Sequence, residues 1–171
     1  IFSENYISNH VFAVEDGVFE NSNGFELLWY GGLRPSEDKS DEDVQYGSGI
    51  ISQGGEIEDV QTTSADKNID RAIFNGKTDW VAIRTKYFLS ALLPETPGSF
   101  ASLSAKNINF GNLEQTPLYN ASIGYPVDVS SLSSKLYLGP LDIDYISQTG
   151  TNLDATMNWG WFIIEPISKG I

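Results

Sequence analysis

Residues 79–94 read DWVAIRTKYFLSALLP. Trp80, Ala82 and Arg84 share a face at a period of two, and Tyr87, Leu89 and Ala91 fit a second alternating run. Helical spacing (Trp80, Ile83, Tyr87, Ala91) fits almost as well. The neighbours tip the choice toward strands. On the N-terminal side, Arg71–Phe74 is a short apolar piece bounded by Asn75-Gly76, a turn signal. Before it, Tyr46–Ile51 and Glu56–Thr62 form a hairpin pattern joined at Gly54-Gly55, a pair that tolerates positive φ.

The alternation extends both ways. Tyr6–Val14 predicts a strand ended by Glu15-Asp16-Gly17, and Gly24–Gly31 a second with Phe25, Leu27 and Trp29 on one face. Residues 34–43, RPSEDKSDED, form a charged loop; their acids lack the Asp-x-Asp-x-Asp-Gly spacing of a calcium loop. Downstream, Ala101–Phe110, Leu118–Val129 and Ser134–Leu138 predict further strands. The pattern then changes. GPLDIDYISQTG (139–150) places Pro140 where a first helical turn accepts it, with Asp142 and Asp144 near the positive end of the helix dipole and Gly150 as a stop. Leu153–Trp159 predicts another turn. In the final segment Trp161, Ile164, Ile167 and Ile171 recur at helical spacing, broken near Pro166 or starting there. Many short strands followed by short helices predict a mainly β protein, an antiparallel β-sandwich with short C-terminal helices. The expected division is residues 1–139 as the sandwich portion and 140–171 as a C-terminal helical segment.

Composition narrows the function classes. With 171 residues, 40% of them hydrophobic, the chain is long enough for one real core. A net charge of −13 disfavours nucleic acid and broad electrostatic attachment to anionic lipid. The chain has no cysteine, which excludes disulfides, thiol catalysis and cysteine metal sites. No apolar run is long enough to span a bilayer, and Ile1 opens without a basic start or apolar block. That opening is expected of a piece cut from a longer protein.

No catalytic constellation stands out. The one histidine, His10, sits in a predicted strand and reads as a half-exposed strand residue. There is no Gly-x-Ser-x-Gly elbow, and Gly31-Gly32 and Gly47-Ser48-Gly49 lack the spacing and following helix of a phosphate loop. Acidic residues number 23, so chance carboxylate pairs are expected. Asn120-Ala121-Ser122 matches a glycosylation sequon. Trp29 and Trp80 read as core; Trp159 and Trp161 precede an apolar helical start, where indoles suit a membrane–water boundary. Expected catalytic residues, metals and cofactors are therefore none.

Three blocks carry a resemblance: WVAIRTKYFLSALLP (80–94), YLGPLDIDYI (137–146) and WGWFIIEPISKGI (159–171). In this order and spacing the chain resembles the extracytoplasmic domain of the YidC/Oxa1/Alb3 family of membrane protein insertases. GFELLWYGGLRPSEDKSDED (24–43) resembles a variable upstream part of that domain more loosely. The resemblance implies a β-supersandwich similar to galactose mutarotase, facing the periplasm at the bacterial inner membrane between the first and second membrane helices. It implies a non-enzymatic scaffold or docking platform in an insertase and chaperone that inserts and folds inner-membrane proteins, with Sec translocon components and nascent membrane proteins as partners. The insertion groove and its arginine belong to later membrane helices, so no groove residue carries over. The positions that match the family's C-terminal piece are Gly160, Trp161, Phe162, Pro166 and Lys169. They are expected to contact the membrane domain or a partner, as the start of an interfacial helix leading toward a membrane span. Family domains are usually longer, so N-terminal strands are expected to be missing and the fragment to self-associate or pair with a lost piece. The competing reading is a carbohydrate-binding or mutarotase-like sandwich, prompted by the implied fold and the aromatics. A third is a secreted adhesion module.

Overall fold

The computed structural model describes residues 5–13, 15, 23–34, 45–62, 68–109 and 116–157. These residues form nine strands: β1 (Ile7–Ala13), β2 (Phe25–Trp29), β3 (Ser48–Gln53), β4 (Glu56–Val60), β5 (Ile69–Arg84), β6 (Phe88–Pro94), β7 (Gly98–Ile108), β8 (Thr116–Tyr125) and β9 (Ser131–Pro140). All pairs are antiparallel, in the order β1-β9-β6-β5-β7-β8-β2, with β3 also on β5 and β4 on β3. A short helix, α1 (Ile143–Ile146), and two 3-10 turns, Ser147–Thr149 and Leu153–Thr156, follow. The mainly β sandwich with short helices near its C-terminal side is therefore the fold.

β5 makes the sheet curl. Its first half, Ile69–Thr78, pairs with β7; its second half, from Thr78 to Arg84, pairs with β3 and, from Val81, with β6. The expected turn at Asn75-Gly76 is a correction: the strand runs straight through it. The register shifts between Asn75 and Thr78 against β7, and between Ser52 and Gln53 on β3, so the Gly that looked like a turn marks an irregularity in the ladder. Gly76 has φ +150°, a conformation open to glycine. The Gln53 amide spans the break, donating to the carbonyls of Phe74 (2.9 Å) and Gly76 (3.2 Å) and to Thr78 Oγ1 (2.9 Å).

Two cores result. The first lies between the layers and joins Ile51, Val81, Ile83, Leu103, Ile123 and Leu132. Gly49 on β3 lets the layers close, since a Cβ there would stand 2.8 Å from Leu103. The second lies on the other side of β5 and β6, where Ile50, Trp80, Leu89 and Tyr137 meet Ile146 and Leu153 of the helical turns. The Gly54-Gly55 hairpin is present, both residues at positive φ (59° and 88°). Phe25, Leu27 and Trp29 share the half-buried face of β2. A second correction concerns Pro140: it ends β9 rather than opening a helix, and Asp142 is the N-cap, accepting from the Asp144 amide (2.8 Å). Gly150 does end the first 3-10 turn, at φ 73°.

Candidate functional site

The helical turns are fixed to the sheet by long-range polar contacts. Trp80 is buried, and its indole Nε1 donates to Asn152 Oδ1 (2.7 Å). Arg84, 5% exposed, donates from Nη1 to the Thr156 carbonyl (2.6 Å), from Nε to the Tyr46 carbonyl (3.3 Å), and from Nη2 to Asp59 Oδ2 (3.2 Å). One guanidinium thus ties the end of β5 to the last described turn and to β4. Lys135 on β9 donates to the Thr149 carbonyl (3.4 Å). Tyr137 donates to the Pro140 carbonyl (2.6 Å); burial, then the nearby Asp142 carboxylate, pushes its phenol up, so it stays a neutral donor. Burial also raises Tyr119 and Tyr125; Tyr119 bridges the Thr62 amide (2.9 Å) and the Gly47 carbonyl (3.1 Å).

The first and last described residues are held at the same end of the β5, β6 and β9 strands. Asn5 and Tyr6 precede β1, and the Tyr6 carbonyl accepts from Leu138 N (3.0 Å). The Thr85–Tyr87 turn lies alongside, with Leu141 N donating to the Tyr87 carbonyl (2.7 Å). Thr156 is held at the same pole by Arg84. Residue 5 and residue 157 therefore lie toward one pole of the described body.

A second polar site lies on the outer face of β2, β8, β7 and β5. Glu26 accepts from Arg71 Nη2 (2.6 Å) and from Ser122 Oγ (2.5 Å), and Ser122 meets Ser102 Oγ at 2.7 Å. Arg71 Nε donates to Ser102 Oγ (3.2 Å). Ser102 and Ser122 are buried because the Glu26–Arg71 pair covers them. An open groove of about 410 Å³ runs past this pair and Tyr30. Asn120 of the sequon is engaged here, accepting from Gly31 N (2.8 Å) and donating to Ser104 Oγ (3.2 Å). Glu26 and Arg71 lie 45 residues apart, so no local spacing announces them; the one sequence signal is that Glu26 faces away from Phe25 and Leu27.

Gly160, Trp161, Phe162, Pro166 and Lys169 all lie outside the described residues, as do most of the 34–43 loop and Trp159. His10 is exposed on edge strand β1, with Nε2 2.8 Å from Ser8 Oγ. It stands at the opposite edge of the sheet from β2 and the groove. Among the described residues no three His, Cys, Asp or Glu side chains converge as a metal site, and no helix is long and apolar enough to cross a membrane.

Comparison with known proteins agrees with the fold. The family model described as YidC periplasmic domain matches residues 9–169. A membrane protein insertase YidC of Prosthecochloris aestuarii is 32% identical over 154 residues, covering 87% of this chain and 26% of the relative. The insertase YidC of Chlorobium phaeovibrioides is 32% identical over 153 residues, with the same two shares. That of Chloroherpeton thalassium is 26% identical over 158 residues, covering 90% and 27%. The chain spans about a quarter of the length of the curated relatives it matches. A two-layer β body with capping helical turns, matched almost end to end by that family model, makes this chain a member of the YidC periplasmic domain family.

Proposed function

We propose that this chain is the water-facing, non-enzymatic platform of a membrane protein insertase. It stands on the periplasmic side of the inner membrane and helps insertion by docking rather than by chemistry. The observation that carries this reading is the family match over residues 9–169, set on a body whose two described ends leave from one pole. Ends at one pole suit a domain tethered to a membrane on both sides, since neither linker then has to cross the body. Residues 1–139 are the sandwich portion, and 140–171 the helical segment that packs on it through Ile146 and Leu153 and then leads toward the membrane. Within it Gly160, Trp161, Phe162, Pro166 and Lys169 contact the membrane-embedded part, the rings at the interface and Lys169 near headgroups. Membrane proteins in the course of insertion, and Sec translocon components, are the proposed partners.

The test is made in the full-length insertase. A photocrosslinking residue at Trp161 or Lys169 joins the domain to the membrane-embedded part, whereas one at Val127 does not. Replacing Trp161 and Phe162 together by alanine lowers insertion of a membrane client about tenfold, the size of effect expected of a central contact. Full insertion with the tail replaced by a Gly/Ser linker overturns the reading.

One observation favours a second reading, carbohydrate binding: the groove beside Glu26, Arg71 and Tyr30 offers charged and hydroxyl donors with an exposed ring. Mutarotation needs positioned acid and base groups, and the one histidine lies at the far sheet edge. A glycan array separates the two; saturable binding lost in Glu26→Gln sustains the sugar reading.

A further inference from the structure

The pole from which both described ends leave differs from the opposite one. Around the Thr85–Tyr87 turn, Tyr6 (39%), Tyr87 (38%) and Phe88 (42%) are exposed. Lys86 holds its ammonium 4.7 Å from the Tyr87 ring centre, and Arg34 is exposed beside them. An open groove of about 350 Å³, lined by Leu33, Arg34, Phe88 and Pro140 among others, opens here. Among the described residues the far pole includes the turns at 95–97 and 126–130 and the end of β1, where Phe12 pairs with Leu132. Val11, Phe12 and Val127 are exposed there, but the two turns carry the acids Glu95 and Asp128 and no Lys or Arg, so what sets the near pole apart is its rings standing beside cations.

Rings with one polar tip, interleaved with cations, favour the headgroup layer of a bilayer. Tyrosine hydroxyls and Lys or Arg heads meet phosphate and glycerol oxygens, while the ring bodies displace interfacial water. We propose that this pole, built on Tyr6, Arg34, Lys86, Tyr87 and Phe88, is a seat for a phospholipid headgroup surface. The proposal deepens the insertase-platform reading and rests on it, since a net charge of −13 gives a free chain no reason to settle on anionic lipid. Asp142 and Asp144 also stand at this pole, Asp142 accepting from the Asp144 amide. The pole is therefore not a cationic patch. The rings carry the contact, the two cations give it a preference for phosphate, and tethering at both ends holds it in place.

The chain has no cysteine, so one introduced thiol labels a single position. The full chain, tethered by its N-terminus to vesicles of phosphatidylethanolamine with a minor share of phosphatidylglycerol, carries a fluorophore at Asp144→Cys or at Val127→Cys. Lipids with a nitroxide headgroup quench the fluorophore at 144 and leave 127 bright. Adding Tyr87→Ser and Phe88→Ser lowers the 144-to-127 quenching contrast roughly tenfold, as loss of two interfacial rings requires. Circular dichroism confirms that the doubly substituted chain stays folded; if it does not, Phe88→Tyr, which keeps an interfacial ring, must retain the contrast while Phe88→Ser loses it. A contrast untouched by loss of the rings means that the tether alone sets the orientation, and overturns the proposal. Equal quenching at both positions, or energy transfer between chains in place of lipid quenching, overturns it too. The measurement uses no insertase activity. Failed client insertion with an intact contrast therefore sinks the platform reading, and the reverse result sinks the seat.

Discussion

β5 is one strand with two halves that live in different surroundings. From Ala72 to Lys77 its residues alternate between half-buried and exposed, and Ile73 is 55% exposed. From Trp80 to Arg84 every residue is buried. The backbone geometry is strand throughout; what differs is what covers it. The first half has one covered face, against the inter-layer core. The second half has two, because the helical turns after β9 cover the face that carries Trp80 and Ala82 while Val81 and Ile83 face the other layer. An antiparallel strand buried on both faces loses the apolar–polar alternation that identifies strands, and its sequence then fits a helix nearly as well.

Substitutions separate the two halves, and the doubly covered half is the more sensitive. Trp80→Ala removes a fully buried indole and its bond to Asn152. It is expected to cost about 3–5 kcal/mol in urea unfolding, and a loss under 1 kcal/mol would deny that the helical turns are packed as part of the core.

Arg84→Met comes next. It keeps most of the aliphatic volume but leaves the Thr156 carbonyl without its donor. The expected loss is about 2 kcal/mol. Hydrogen exchange should speed up first in residues 153–157, before the first core loosens; uniform acceleration across the sheet would mean that the guanidinium is not a local tie.

The junction between the halves is smaller. Gly76→Ala places a Cβ at φ +150° in the irregular part of the ladder, for about 1–2 kcal/mol. An unchanged midpoint would show that the strand rearranges there freely. The open half is predicted to be tolerant: Ile73→Thr, at an exposed site, should stay within about 0.5 kcal/mol in the same assay. A large loss at Ile73 would instead indicate that the first half is covered in solution, for example by another copy of the chain.

The candidate sites divide in the same manner. The hairpin at Gly54-Gly55, the shared face of Phe25, Leu27 and Trp29 and the Gly150 stop follow from local patterns, and the structure has them. Asn75-Gly76 misleads because the same residue chemistry serves a turn and a ladder irregularity; only the partners on β3 and β7 decide between them. Pro140 misleads for a related reason. Its fixed φ suits a first helical turn, but it equally suits the end of a strand, and β9 claims it through pairing with Phe88. The Glu26–Arg71 pair and the Arg84–Thr156 tie join residues 45 and 72 apart, and no spacing rule reaches that far.

By itself the sequence determined the β character, the class of fold and the family. These rest on residue type and short-range period, which backbone geometry converts directly into strands, turns and the order of motifs. Only the tertiary structure shows which faces are covered, that β5 runs unbroken through a glycine, and that the first and last described residues lie toward the pole where Tyr6, Tyr87 and Phe88 are exposed. Those are properties of elements distant in the chain brought together, and the free energy that selects among them is the burial of one element's surface by another.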